Sequence, residues 1–99
     1  MKYRIEYSPE TESHFRYLSK QQQMTVLNTV EKQLQYQPDV ETKNRKPMRP
    51  NPLAPWELRI GALRVYYDFE AEPKRVVYIR SIGIKRRNDV RIGKEVIKL

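Results

Sequence analysis

Arg59 and Arg64 lie close together in the stretch Trp56-Glu57-Leu58-Arg59-Ile60-Gly61-Ala62-Leu63-Arg64-Val65-Tyr66-Tyr67-Asp68. A guanidinium grips phosphate through two parallel N–H···O bonds, so two of them on one surface are chemistry for an anion. Whether they share a surface depends on the elements that carry them. Gly61-Ala62, with glycine first, suits the two-residue type II′ turn of a β-hairpin. Counting outward from that turn pairs Ile60 with Leu63, Leu58 with Val65 and Trp56 with Tyr67, which makes one face apolar. The other face pairs Arg59 with Arg64 and Glu57 with Tyr66. Like charges directly across a ladder destabilise it. The reading therefore predicts a phosphate-binding sheet face, with the arginine pair completed by a ligand rather than by the protein's own carboxylates.

The whole composition agrees with an anionic partner. Ninety-nine residues make one domain with a single modest core. With 38% hydrophobic and 32% charged residues, the chain is globular rather than disordered. The net charge is +8, and residues 39–99 carry +7 of it. An excess so placed and so rich in Arg marks a polyanion, usually nucleic acid. The chain has no cysteine and one histidine, which excludes a disulfide framework and a thiolate metal site. Neither a membrane-length apolar run nor the apolar core of a signal peptide is found. The expectation is a cytoplasmic protein with no metal and no small-molecule cofactor.

The remaining elements follow from periodicity and punctuation. Tyr3, Ile5 and Tyr7 alternate with charged residues, as in a half-buried strand. Ser8-Pro9-Glu10 offers an N-cap, a proline at the first helical position and an acidic first turn. The short helix that follows has Phe15 and Leu18 as core contacts, and His14 on it reads as a surface or packing residue. From about Gln21, the spacing of Met24, Leu27, Val30 and Leu34 describes one helix stripe, ending near Gln37 ahead of Pro38. Residues 39–55 read as a long loop with Lys43, Arg45, Lys46 and Arg49 among four prolines, stiff enough to grip a ligand at low entropic cost. Ala71-Glu72-Pro73-Lys74 is a turn. Arg75 to Ile82 is the most apolar and β-branched strand, hence central, and a basic run from Gly83 to Arg91 leaves the sheet after it. Residues 92–99, apolar at Ile92, Val96, Ile97 and Leu99, fit either an extra strand or a loose helix. The sum is an α+β domain of order β-α-α-β-β-β, an antiparallel-rich sheet with a helical hairpin on one face.

Three features together resemble the RelE/ParE superfamily of toxins from bacterial type II toxin–antitoxin modules. They are the loop Arg45-Lys46-Pro47-Met48-Arg49-Pro50, the pair Trp56-Glu57-Leu58-Arg59 and Leu63-Arg64-Val65-Tyr66-Tyr67-Asp68, and the strand ending Ser81-Ile82-Gly83-Ile84-Lys85-Arg86. The RelE-like branch is favoured. That resemblance implies a cytoplasmic, metal-independent endoribonuclease acting on mRNA in the ribosome, and a cognate antitoxin as partner in a hetero-oligomer. It implies attack of the RNA 2′-OH on the adjacent phosphate, leaving a 2′,3′-cyclic phosphate and a 5′-OH. The chemistry needs a base for the 2′-OH, charge neutralisation at phosphorus and a proton for the leaving oxygen. Carried over by position, Arg59 and Arg64 hold the phosphate, and Lys85 or Arg86 stabilises the transition state.

This sequence departs from the family pattern at two positions. Glu57 stands where some active relatives place a lysine, and is either the base or a structural ion-pair partner of the arginines. Arg91 stands where relatives commonly place a tyrosine; an arginine does not titrate, so its expected role is to orient phosphate. Lys43, Arg45, Lys46, Arg49, Arg87 and Arg91 are the expected RNA contacts. Tyr66 is either a face-filling aromatic or a stacking platform for a base. Two other readings stand beside the nuclease: a ParE-type toxin that binds DNA gyrase without catalysis, and a weakened homologue that only binds RNA or antitoxin.

Overall fold

The computed structural model describes residues 2–98. Its order is β1 (Arg4–Tyr7), α1 (Glu10–Phe15), α2 (Lys20–Leu34), β2 (Arg45–Pro47), β3 (Trp56–Ile60), β4 (Leu63–Glu70), β5 (Val76–Arg86), β6 (Asp89–Ile92) and β7 (Glu95–Lys98). The sheet runs β2-β3-β4-β5-β6-β7, with β1 paired to β5. Every pairing is antiparallel except β1 with β5. The α+β class holds, but three strands exceed the expected set. Part of the proline loop pairs with β3 as β2, and the chain after β5 returns as two further strands. The tail is thus strand up to Lys98; Leu99 lies outside the described residues.

The β3–β4 hairpin has the expected register, Trp56 opposite Tyr67 through to Ile60 opposite Leu63. Gly61 sits at φ +58°, the left-handed conformation that a glycine-first turn requires. Leu58, Val65 and Tyr67 send their side chains to the helix side, where they join Leu18, Val26, Val30, Leu34, Ile79 and Ile82 in the main core. α2 begins with a capping box that the sequence reading passed over: Ser19 Oγ accepts from Gln22 N, and Gln22 Oε1 accepts from Ser19 N. Such a cap stabilises a helix by about 1 kcal/mol.

The apolar stripe of α2 keeps Val30 and Leu34 of the expected set but takes Val26 in place of Met24 and Leu27. Val26, Val30 and Leu34 are buried, whereas Met24 and Leu27 are 54% and 40% exposed. Both stripes are apolar at helical spacing.

The basic run does not leave the sheet. β5 continues to Arg86, and β6 turns back along it, with Gly83 opposite Ile92 and Lys85 opposite Val90. Gly83 permits this closeness: a Cβ there would lie 2.3 Å from the Arg91 carbonyl oxygen. On the face away from the helices, Tyr66, Val90, Ile92 and Ala54 form a second small core under Met48, Leu53 and Ile97. Among the described residues no helix is long and apolar enough to cross a membrane.

Candidate nucleic-acid interface

Strand alternation decides which basic residues meet. Glu57, Arg59, Arg64 and Tyr66 project from the face away from the helices, and Lys46 joins them because it pairs with Glu57. Gly83 lies opposite Arg64, so Lys85, two residues on, reaches the same face. The loop after β2 supplies the far wall. The result is a cleft of about 480 Å³ lined by Lys46, Met48, Arg49, Asn51 and prolines on one side and Glu57, Arg59, Arg64 and Lys85 on the other. Five cations and one carboxylate leave it strongly positive.

The wall is held by one side chain. Asn51 Nδ2 donates to the Arg49 and Ala54 carbonyls, and its Oδ1 accepts from the Leu53 and Ala54 amides at 2.7 and 3.1 Å. Sequence reasoning missed Asn51. An asparagine between two prolines is a turn-forming signal that would have found it.

The arginine pair is not left for a ligand alone. Arg59 Nε donates to Glu57 Oε1 at 2.8 Å, and Glu57 Oε2 lies 3.8 Å from Arg64 Nε. This overturns the expectation that only an external anion completes the pair. Two guanidiniums across a ladder repel, and the carboxylate two residues along the same strand lies between them. The pair is half neutralised, one carboxylate against two cations. Arg64 is further fixed by its Nη1, which donates to the Gly61 and Leu63 carbonyls at 2.6 and 3.0 Å. Lys85 Nζ donates to the Arg87 carbonyl across the β5–β6 turn.

Other expected site residues lie elsewhere. Arg45 is buried, and its Nη1 donates to the Gln33 and Gln37 carbonyls at 2.8 and 2.6 Å. It satisfies the carbonyl end of α2, where a cation also meets the negative end of the helix dipole, and no RNA can reach it. Tyr66 is fully buried in the second core, so its ring is no stacking platform. Burial first, then the neighbouring Glu57 carboxylate, push its phenol well above the ordinary value. Arg91 pairs with Ile84 and so faces the helix side, its guanidinium 5.4 Å from the Tyr17 ring centroid. Arg86 lies with it, lining a hollow that also contains Asp89 and Lys94. Arg87 occupies the β5–β6 turn at φ +50°, and Lys43 is an exposed loop residue; neither lines the cleft. His14 packs as expected: its Nδ1 accepts from the Ile82 amide at 3.3 Å, and burial lowers its pKa.

The chain matches no family model. No curated protein matches it at a significant level. Among the described residues no cluster of three or more His, Asp or Glu side chains could hold a metal ion.

Proposed function

We propose that this protein is a RelE/ParE-type toxin, an endoribonuclease whose basic cleft takes the backbone of a single RNA strand. The observation that carries the reading is the convergence of Lys46, Arg49, Arg59, Arg64 and Lys85 on one cleft around a single carboxylate. Cations drawn from four strands and a proline-stiffened loop match a flexible polyanion, and ion release on binding supplies the affinity. In the reaction the 2′-oxygen bonds to phosphorus as its proton passes to a base, and the 5′-oxygen leaves with a proton. Arg59, Arg64 and Lys85 balance the charge that grows on the phosphoryl oxygens. Glu57 is the carboxylate within reach of that site and takes the role of base. By the resemblance, the working partners are the ribosome and mRNA, and the neutralising partner is an antitoxin encoded beside the toxin.

A second reading, a ParE-type toxin that binds without cutting, is favoured by specific observations. Glu57 is engaged by Arg59, Tyr66 is sealed under the loop, and Arg91 faces the other side of the sheet. Brief induction in bacteria with mapping of mRNA 5′ ends separates the two. In-frame cuts that vanish with Arg64→Ala support the nuclease. Growth arrest with a DNA-damage response and no cuts supports the gyrase-binding alternative.

A further inference from the structure

The two walls of the cleft differ in chemistry. The strand side offers charge through Arg59, Arg64 and Lys85, whereas the loop side sets the apolar surface of Pro47, Met48 and Pro50 among its cations. A site for phosphate alone has no use for that surface. At about 480 Å³ the cleft falls within the range of sites that enclose a whole small molecule, about 300–1,000 Å³. A nucleotide is divided in the same way, into an anionic phosphate and a base with an apolar π-face. The apolar wall is also fixed in place. Met48 N–H donates to the Pro55 carbonyl at 2.7 Å, closing the loop at its base. Its half-buried side chain packs on the second small core and lines the cleft, with Asn51 Nδ2 3.9 Å from the sulfur.

We propose that Met48 and its flanking prolines form a base-stacking subsite, holding the nucleobase of the nucleotide whose phosphate lies on Arg59 and Arg64, and that this subsite takes any of the four bases. The inference rests on the basic cleft being the RNA site and says how the strand lies in it: backbone along the sheet, base toward the loop. Every base has a π-face, and a polarisable thioether packs well against one. Reading base identity takes a donor and an acceptor aimed together at the base edge. Asn51 is the one loop-wall side chain with both, and its amide is engaged by the Arg49, Leu53 and Ala54 backbone. Pro47 and Pro50 have no N–H to offer. The subsite thereby does what Tyr66 cannot, since that ring is sealed in the second core.

The test compares, by fluorescence anisotropy, a short unstructured single-stranded RNA with an oligomer of equal length and charge built of abasic ribose phosphates. Wild type should bind the RNA about fivefold tighter, the order expected of one base packed on a thioether and rings. Oligomers of U, C and A should agree within about threefold, because stacking tolerates sequence. Met48→Ala should bring RNA affinity down toward that of the abasic oligomer, whereas Arg64→Ala should weaken both ligands alike. Met48→Leu, which keeps an apolar side chain on the second core, should retain the preference for RNA. Equal affinity of wild type for the two ligands overturns the base subsite and leaves the phosphate cleft standing. So does a Met48→Ala loss shared equally by both. A spread of about tenfold or more among the bases, one lost or gained hydrogen-bonded contact, overturns the tolerance. No binding of either ligand, or binding that Arg64→Ala leaves unchanged, overturns the cleft reading as well.

Discussion

Two basic hollows lie on opposite faces of this sheet, and one run of sequence feeds both. Lys85 enters the cleft with Lys46, Arg49, Arg59 and Arg64, while Arg86 and Arg91 line the hollow of about 400 Å³ on the helix side. In the cleft the carboxylate is buried, 5% exposed, the Arg64 guanidinium is fixed by the backbone of the hairpin turn, and Arg59 is held by the carboxylate. In the hollow Arg91 rests on Tyr17, and Arg86 is exposed. The cleft is therefore pre-organised for an anion, whereas the hollow presents solvated charge on the open surface of β5 and β6. Basic composition alone does not separate them; the parity of the strand and the second core beneath the loop do.

The sharpest contrast in stability is between neighbours in β2. Arg45→Ala strips the end of α2 of its buried donor and should destabilise the fold by about 2–3 kcal/mol. Lys46→Ala should fall within about 0.5 kcal/mol of wild type. Denaturant titration measures both, and equal losses would mean that Arg45 does not cap the helix. Next comes RNA affinity: Arg64→Ala should weaken binding roughly tenfold, the effect of a strong charge-assisted contact. Arg91→Ala should change it by less than about twofold, as expected for a solvated charge outside the site. Comparable losses would erase the distinction between the two hollows. A finer reading comes from salt. Removing Arg59 should flatten the log–log salt slope by about 0.7, the share of one phosphate contact on a single strand.

The smallest effect is a pH dependence on the helix side. Burial lowers the pKa of His14, which accepts from the Ile82 amide in its neutral form. The unfolded chain then binds the proton more readily than the folded one. Stability from this group is full above its ordinary pKa of about 6.5 and declines as pH falls from there toward the lowered folded value. His14→Gln should flatten the melting temperature between about pH 7 and pH 5. An unchanged slope would place the acid sensitivity in other groups.

Much of the cleft could be read from the residues because the hairpin is local. Gly61 fixes the turn, the turn fixes the register, and the register puts Glu57, Arg59, Arg64 and Tyr66 on one face. The same count already set Glu57 beside the arginines; what it lacked was the geometry that lets one carboxylate serve both. Arg45 was illegible because its partners, the carbonyls of Gln33 at the end of α2 and of Gln37 just beyond it, are brought near only by tertiary folding. Of the two readings of Tyr66 the face-filling one holds, and what decided it, the roof of β6 and the proline loop, is not local. Arg86 and Arg91 were grouped with Lys85 because the run was taken to leave the sheet. Once it is a hairpin, alternation divides it. In α2 both apolar stripes fit the helical period, so packing against the sheet, and not spacing, chose Val26 over Met24 and Leu27.

The most direct test is a residue-resolved NMR titration of the intact protein with an unstructured single-stranded RNA at moderate salt. Chemical-shift changes should gather at Lys46, Arg49, Arg59, Arg64 and Lys85, with the hollow around Arg86, Arg91 and Lys94 nearly silent. Changes centred on that hollow, or spread evenly over both faces, would contradict the assignment of the cleft as the RNA site.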